Sequence, residues 1–442
     1  MGAMNYVSSY RGATAVCVAA CLAPMPQHVR VTWGFSLFTS QSAPSAPGVP
    51  AVRSRINPMP TAATAMRHPE PPTTPGLGRV YNFSAGPACM PETVLAQLRD
   101  EITDFDGSGI GLLELSHRGP AYDRILADAF ASVRACAGVG ADWEVLFLPG
   151  GSMQHFSLIA MNFVPKAKAG AEQPWVAFAD TGLWSHKGEK ETACVRPTKK
   201  VFDGATCRFD HVPSDAEIAD CTGAAYFAYC SNNTVEGTQF ARPPRVAAPL
   251  VCDATSDIFS RPFDLNAHEL LFASGQKNLG ASGITMVLVK KSFLERADPS
   301  LPPMLSYANF AKTESRPNTP PTFGVRVIGL MAQWTHEFGG PAAFGPRNAA
   351  KAAHIYRAID GSGGFYRPSM RADCRSDMSI SFQLPSDAHV DRFVAEAESE
   401  GLCGLRGHRE WGGIRACVYN AFPAKGCEVL ADFMGAFAKR NG

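Results

Sequence analysis

The sequence predicts an α/β fold with a mostly parallel sheet, followed by a smaller α+β unit at the C-terminal end. Three observations carry this. Short apolar runs recur between Val145 and Val289, without the polar alternation of a half-exposed sheet, and helical or loop segments separate them. The pattern changes after about residue 345, where helices and strands alternate with amphipathic spacing. The chain has 442 residues, 45% apolar and 18% charged, enough to bury more than one core.

Residues 1–78 read as a leader. They are rich in Ala, Ser, Pro and Arg, and show no helical or strand periodicity after about residue 25. Such a segment buries too little apolar surface to offset its ordering entropy. Residues 1–69 hold five arginines (Arg11, Arg30, Arg53, Arg55, Arg67), no lysine and no acid. That composition matches an organelle transit peptide, plastid or mitochondrial. The apolar stretch from Ala13 to Ala23 also fits a signal-like segment, so a bipartite leader would combine both. The alternative is a start at Met59 or Met66, which would leave the protein in the cytoplasm. No apolar stretch reaches the length of a transmembrane helix, about 18 residues or more.

From Val80 onward the elements follow in order. Pro91 to Ile102 reads as a helix, with proline at its start and Val94, Leu98 and Ile102 on one stripe. Pro120 opens a second, with Tyr122, Ile125, Leu126, Phe130 and Val133 on its apolar face. Strands are expected at Val145–Leu148, Trp175–Ala179, Ala225–Cys230, Leu250–Asp253, Leu270–Ala273 and Ile284–Val289. The last unit reads as helix Arg347–Ile359, strand Met378–Gln383, helix Ala388–Glu400, strand Ile414–Tyr419 and a helix near Glu428–Lys439. The expected division is a leader over 1–78, a large domain over 79–345 and a small domain over 346–442.

The net charge of +1 gives no reason to invoke nucleic acid or lipid. Setting aside the five leader arginines leaves 36 basic and 40 acidic residues, a net of −4 for residues 70–442. The 13 cysteines have no CxxC pair and no regular spacing. This argues for a reducing compartment and against a disulfide framework or a metal site.

Two strand ends carry the chemistry. Leu270–Gly280 ends an apolar run in a small-residue turn around one lysine, Lys277. A lysine amine presented there suits a Schiff base with an aldehyde cofactor. Leu250–Asp253 delivers a single carboxylate, Asp253, about two dozen residues upstream. A buried Asp beside a pyridine nitrogen keeps that nitrogen protonated and the ring an electron sink. Each feature alone is also what a solvated strand end looks like. The Pro149-Gly150-Gly151-Ser152-Met153 turn leaves a strand and enters a helix, where free N–H groups favour a phosphate. Trp184, at a helix start after the strand ending in Ala179, could stack on an aromatic ring or simply pack in the core.

Six segments in order then resemble the phosphoserine aminotransferases: Tyr81–Ala88, Glu114–Gly119, Gly275–Asn278, Pro317–Phe323, Arg406–Arg409 and Gly412–Ala416. The resemblance spans about Val80 to the C-terminus. It implies a fold-type I transferase, with a seven-stranded, mostly parallel sheet in the large domain, dependent on pyridoxal 5′-phosphate. It implies the transfer of an amino group from glutamate to 3-phosphohydroxypyruvate, yielding phosphoserine for serine biosynthesis. It also implies roles. Lys277 is the Schiff-base lysine, Asp253 pairs with the ring nitrogen, Trp184 stacks on the ring and Thr234 bonds its phenolic oxygen. The backbone at Ser152 and Met153, with Gln276, holds the cofactor phosphate. Asn318 and Thr319 reach that phosphate from the second subunit of a homodimer. Arg415 takes the substrate α-carboxylate. His117, Arg118, His408 and Arg409 surround the distal phosphate or carboxylate, for which the planar arginine fork is suited.

There are departures from the family pattern. Met153 stands where some members carry an arginine, so the substrate phosphate must rest on the other cations. Asn233 stands where an acid is frequent. His155 reads as a packed helix residue. One rival reading is another enzyme of the same fold, such as a cysteine desulfurase, but no loop cysteine stands out as a nucleophile. Another is an inactive scaffold relative, which loss of Lys277 or Asp253 would mark, and both are present.

Overall fold

The computed structural model describes residues 78–167 and 170–442; the leader up to residue 77 lies outside them. Its centre is a seven-stranded sheet. The strands are β1 (Trp143–Pro149), β2 (Val176–Asp180), β3 (Thr198–Asp203), β4 (Tyr226–Cys230), β5 (Leu250–Asp253), β6 (His268–Ser274) and β7 (Ile284–Lys290), in the spatial order β1-β7-β6-β5-β4-β2-β3. Adjacent pairs from β6 to β3 are parallel, and β7 runs antiparallel to both neighbours.

The unbroken apolar runs follow from burial of both faces. Val145, Phe147, Phe227, Tyr229, Leu271 and Leu288 point into one core layer; Leu146, Leu148, Val176, Phe178, Phe272 and Val287 point into the other. The first layer is closed by α1 (Glu92–Thr103), α2 (Pro120–Ala137) and α5 (Thr322–Glu337). The second is closed in part by α3 (Ser152–Phe163), and α4 (Leu183–Ala193) contributes Trp184 at its margin. Helices α2 and α5 approach closely because Gly329 lacks a side chain: a Cβ there would lie 3.0 Å from Ala129 Cα and Cβ. Arg326 on α5 pairs with Glu101 on α1 through two contacts, Nε–Oε2 at 2.9 Å and Nη2–Oε1 at 2.5 Å.

A second core surrounds a three-stranded antiparallel sheet, β8 (Arg367–Pro368), β9 (Ser379–Gln383) and β10 (Ile414–Cys417), in the order β8-β9-β10. Helices α6 (Gly340–Asp360), α7 (Asp387–Ser399) and α8 (Ala424–Asn441) cover it. Helix α6 begins seven residues before the expected Arg347 and runs through the expected domain boundary at 345/346. Its Gly- and Pro-rich start resembles a loop, but Pro341 sits in the first turn, where the missing N–H costs nothing. Pro346 is accommodated further along the same helix. Among the elements labelled above, β3, an edge strand, β8 and α5 had no sequence expectation. Among the described residues, no helix is long and apolar enough to cross a membrane.

Candidate active site

The carboxyl ends of the parallel strands converge, and in open α/β sheets that edge is where ligands bind. Asp253 closes β5, and Lys277 lies three residues beyond β6. The turn between them and β7 is tight. A Cβ on Gly275 would lie 2.1 Å from the carbonyl oxygen of Ala281, so only glycine fits. Asn278 anchors the same turn, donating to the Ile258 carbonyl at 2.9 Å and accepting from the Asn420 N–H at 3.0 Å. The lysine that precedes it is therefore held on a rigid loop.

Lys277 Nζ donates to Thr234 Oγ1 at 2.6 Å. Burial pushes its amine down to about 8, partly countered by the nearby Asp253 carboxylate and worsened by Arg415. At pH 7 only about a tenth of this amine is free base, still far more than for an ordinary exposed lysine. Asp253 is buried, which raises its carboxyl above the ordinary range, while the Thr255 N–H, donating to Oδ1 at 2.9 Å, and Lys277 act the other way. Among the described residues, the hydrogen-bond donor to the other oxygen, Oδ2, is the Cys230 thiol at 4.0 Å. A buried carboxylate oxygen so poorly matched wants a strong donor.

After β1, helix α3 starts at Ser152 with no side-chain cap, which leaves its first N–H groups for an anion. Ser274 Oγ donates to Gln276 Oε1 at 2.5 Å. A Cβ on Gly151 would come within 3.6 Å of that same Ser274 Oγ, so the turn before α3 and the Gln276 loop adjoin. Met153 is half-buried against the core layer beneath. After β2, Trp184 occupies the second position of α4. Its indole N–H makes no hydrogen bond among the described residues, and its ring meets His408 edge-on, centroids 6.3 Å apart. Lys187, one turn on, sits 5.5 Å from the Trp184 ring centre and pairs with Glu410 at 3.3 Å.

Arg415 lies on β10 opposite Ser381 of β9 and is half-buried. Burial and the cations Arg415, Lys187 and Arg409 hold His408 below an ordinary histidine, with Glu410 opposing. The site thus brings Lys277, Thr234, Asp253, Trp184, His408 and Arg415 into one electrostatic neighbourhood.

The chain matches a family profile described as Aminotransferase class-V over residues 80–417. It is 40% identical over 384 residues to the phosphoserine aminotransferase of Rhodopirellula baltica, covering 86% of this chain and 99% of that protein. A solved phosphoserine aminotransferase from Bacillus circulans subsp. alkalophilus superposes with a TM-score of 0.78 at 40% identity, over 82% of this chain and 99% of that one. The chain belongs to the phosphoserine aminotransferase family. A further solved member, the PLP-bound phosphoserine aminotransferase from Trichomonas vaginalis, has a TM-score of 0.75 at 32% identity, over 80% of this chain and 99% of that one.

Within this family member, four expected site residues stand apart. His117 is half-buried, and Arg118, Asn318 and Thr319 are exposed. Among the described residues, none of their side chains hydrogen-bonds to the groups around Lys277. Arg409 is also exposed, and reaches the site only through its field on His408. His155 is fully buried and its Nδ1 faces the Tyr307 hydroxyl at 2.5 Å, a packing role.

Sequence reasoning passed over Glu236, whose carboxylate accepts from the Leu183 N–H at 2.7 Å at the start of the Trp184 helix. It also passed over Asp180, buried and paired with Lys200 at 2.6 Å and His186 at 2.9 Å. Glu236 acts on a backbone group 53 residues away, and Asp180 on side chains further along the chain, His186 and Lys200. Among the described residues, Cys207, Asp210 and His211 bring potential metal-ligating atoms within 4.8 Å of one another. There His211 already engages Asp210 at 2.6 Å and Glu217 at 3.0 Å through its two ring nitrogens.

Proposed function

We propose that this chain is a pyridoxal-phosphate-dependent phosphoserine transaminase, moving the amino group of glutamate to 3-phosphohydroxypyruvate. One observation carries the reading: the desolvated Lys277 amine, bonded to Thr234 at 2.6 Å and within the field of the buried Asp253, sits at the strand ends in a member of this family. The residues fit the cofactor. Asp253 offers a poorly satisfied oxygen to a ring nitrogen, and a glycine turn with an uncapped helix start suits a phosphate. When bound, pyridoxal 5′-phosphate supplies an aldehyde that takes up amino groups and a ring that withdraws electrons from the substrate Cα.

The chain's own groups do the rest. Lys277 would hold the cofactor through its amine and, when that amine is free, would carry a proton to and from the substrate Cα. Asp253 would keep a proton on the ring nitrogen, and Thr234 would donate to the ring oxygen. Trp184 would cover one ring face and exclude water. The N–H groups at Ser152 and Met153, with Gln276, hold the phosphate. Arg415 grips the α-carboxylate common to both substrates. His117, Arg118, His408 and Arg409 receive the distal anion, with no help from the uncharged Met153. Purified protein supplied with the cofactor should convert phosphoserine and 2-oxoglutarate to products, and Lys277→Ala should not. Turnover of alanine or cysteine without turnover of phosphoserine would overturn the reading.

The active unit is a homodimer in this reading. Asn318, Thr319 and Arg118 are exposed, and so are the large apolar side chains Ile102, Ile110 and Leu113. A partner seated there would bury that apolar surface and receive those polar groups. The leader directs the protein to an organelle. The support is the arginine-rich composition of residues 1–69, which hold no acid, ahead of the start of the family match at residue 80. The N-terminal sequence of the mature protein tests this: a mature start near residue 78 is expected, and a start at Met59 or Met66 would overturn it.

A further inference from the structure

The turn Thr234–Gly237 touches three functional elements at once. It joins the short hairpin strands Asn232–Asn233 and Thr238–Gln239. Thr234 Oγ1 receives the Lys277 amine at 2.6 Å. The Val235 carbonyl accepts from Ser381 Oγ at 2.7 Å, and Ser381 is the register partner of Arg415. Glu236 Oε1 accepts from the Leu183 N–H at 2.7 Å, at the first residue of the helix whose second residue is Trp184.

Stability alone does not account for Glu236. Its side chain is 1% exposed, and Oε2 makes no hydrogen bond among the described residues. Burial pushes the carboxyl up to about 7. A buried, half-satisfied acid is costly, and an amide or apolar side chain would be cheaper. The surroundings are nevertheless shaped for it. A Cβ on Gly182 would lie 2.4 Å from Glu236 Oε2 and 2.6 Å from its Cδ, so the missing side chain at Gly182 makes room for the carboxylate. The backbone at Gly182 is extended, at φ 168°, which any residue adopts, so room is the only requirement there. Beside it, Thr181 Oγ1 donates to Asn233 Oδ1 at 3.1 Å, so the hairpin and the helix start are joined twice.

We propose that Glu236 is a positioning residue for Trp184: its carboxylate, seated in the Gly182 gap, ties the start of the Trp184 helix to the turn that holds Thr234 on Lys277. The proposal rests on the reading of Trp184 as the side chain that stacks on the cofactor ring. The helix start then follows any movement of the turn, and the stacking side chain keeps its place relative to the lysine.

The holoenzyme tests this through the visible circular dichroism of its bound cofactor and the rate at which the cofactor is released. Trp184→Ala serves as the reference for a lost stacking partner. Glu236→Ala should change the dichroism in the same direction and release the cofactor about tenfold faster, the worth of one helix-start acceptor. Glu236→Gln keeps an oxygen acceptor and should stay near wild type. Gly182→Ala should reproduce Glu236→Ala by displacing the carboxylate without removing it, and it decides the matter should Glu236→Ala not fold. The double variant should be no worse than Glu236→Ala. Unchanged dichroism and release in both Glu236→Ala and Gly182→Ala, with a changed Trp184→Ala, would overturn the proposal alone. An unchanged Trp184→Ala would overturn the stacking role and the proposal together. A Glu236→Gln protein as altered as Glu236→Ala would overturn the acceptor role.

Discussion

At the scale of single residues, the site is a contest between burial and charge, and Lys277 shows which wins. Burial dominates, so the amine titrates near 8. The sign is that of a base whose charged form is disfavoured: below about 8 it is protonated and unreactive, above it the free amine prevails. The rate at which cofactor-free protein captures pyridoxal phosphate should therefore climb with pH up to about 8 and then level off. An ordinary exposed lysine would keep climbing toward ~10.4; stopped-flow absorbance distinguishes the two, and a continued climb would show that the amine is not desolvated. Asp253 poses the converse case. Asp253→Asn keeps shape and one acceptor but removes the charge proposed to hold a proton on the ring nitrogen. Transamination should fall by about two orders of magnitude, with the fold intact by circular dichroism. These two residues were legible in the sequence because each is the lone charged group at the end of an apolar strand. Glu236 was not, because its partner is 53 residues away and nothing local announces it.

At the scale of elements, what was legible depended on how each is buried. Strands β1, β2 and β4 to β7 are covered on both faces, so they read as unbroken apolar runs. Strand β3 lies at the sheet edge with Lys199 and Lys200 exposed or half-exposed, and its sequence carries no such run. Helix α5 is buried along most of its length, from Gly324 through Thr335, and its polar stripe is thin, made of Arg326, Gln333 and Glu337. Its glycine is a packing residue. Gly329→Val would force α5 away from Ala129 and should lower the unfolding midpoint, costing about 1–3 kcal/mol. Gly435 on α8 is the matched control, since a Cβ there meets nothing within 4 Å. Gly435→Ala should be neutral or stabilise by up to ~1 kcal/mol through helix propensity. Equal effects of the two would mean that the α2–α5 approach is not tight.

At the scale of the whole molecule, the expected site residues divide into a buried group and an exposed one. Lys277 and Asp253 come from the ends of β6 and β5, Trp184 from α4, Arg415 from β10 and Thr234 from a hairpin turn, whereas Asn318, Thr319 and Arg118 are exposed. No reading of one sequence distinguishes a residue that serves its own site from one that serves a neighbour's, since both are simply exposed. Mixed dimers make the distinction. A Lys277→Ala chain lacks the reactive amine but still carries Asn318 and Thr319. A chain with Asn318→Ala and Thr319→Ala keeps the amine but should hold cofactor phosphate poorly in its homodimer. Neither should work well alone. If the two residues serve the partner's site, each mixed dimer contains one site with every group intact, and random 1:1 assembly restores roughly a quarter of wild-type activity. If they serve their own chain, every site in the mixture lacks something and activity stays at the level of the single variants. Co-expression with distinct affinity tags, followed by an activity assay on the doubly tagged fraction, separates these outcomes. Activity in that fraction no higher than in the parent variants would remove the shared-site reading.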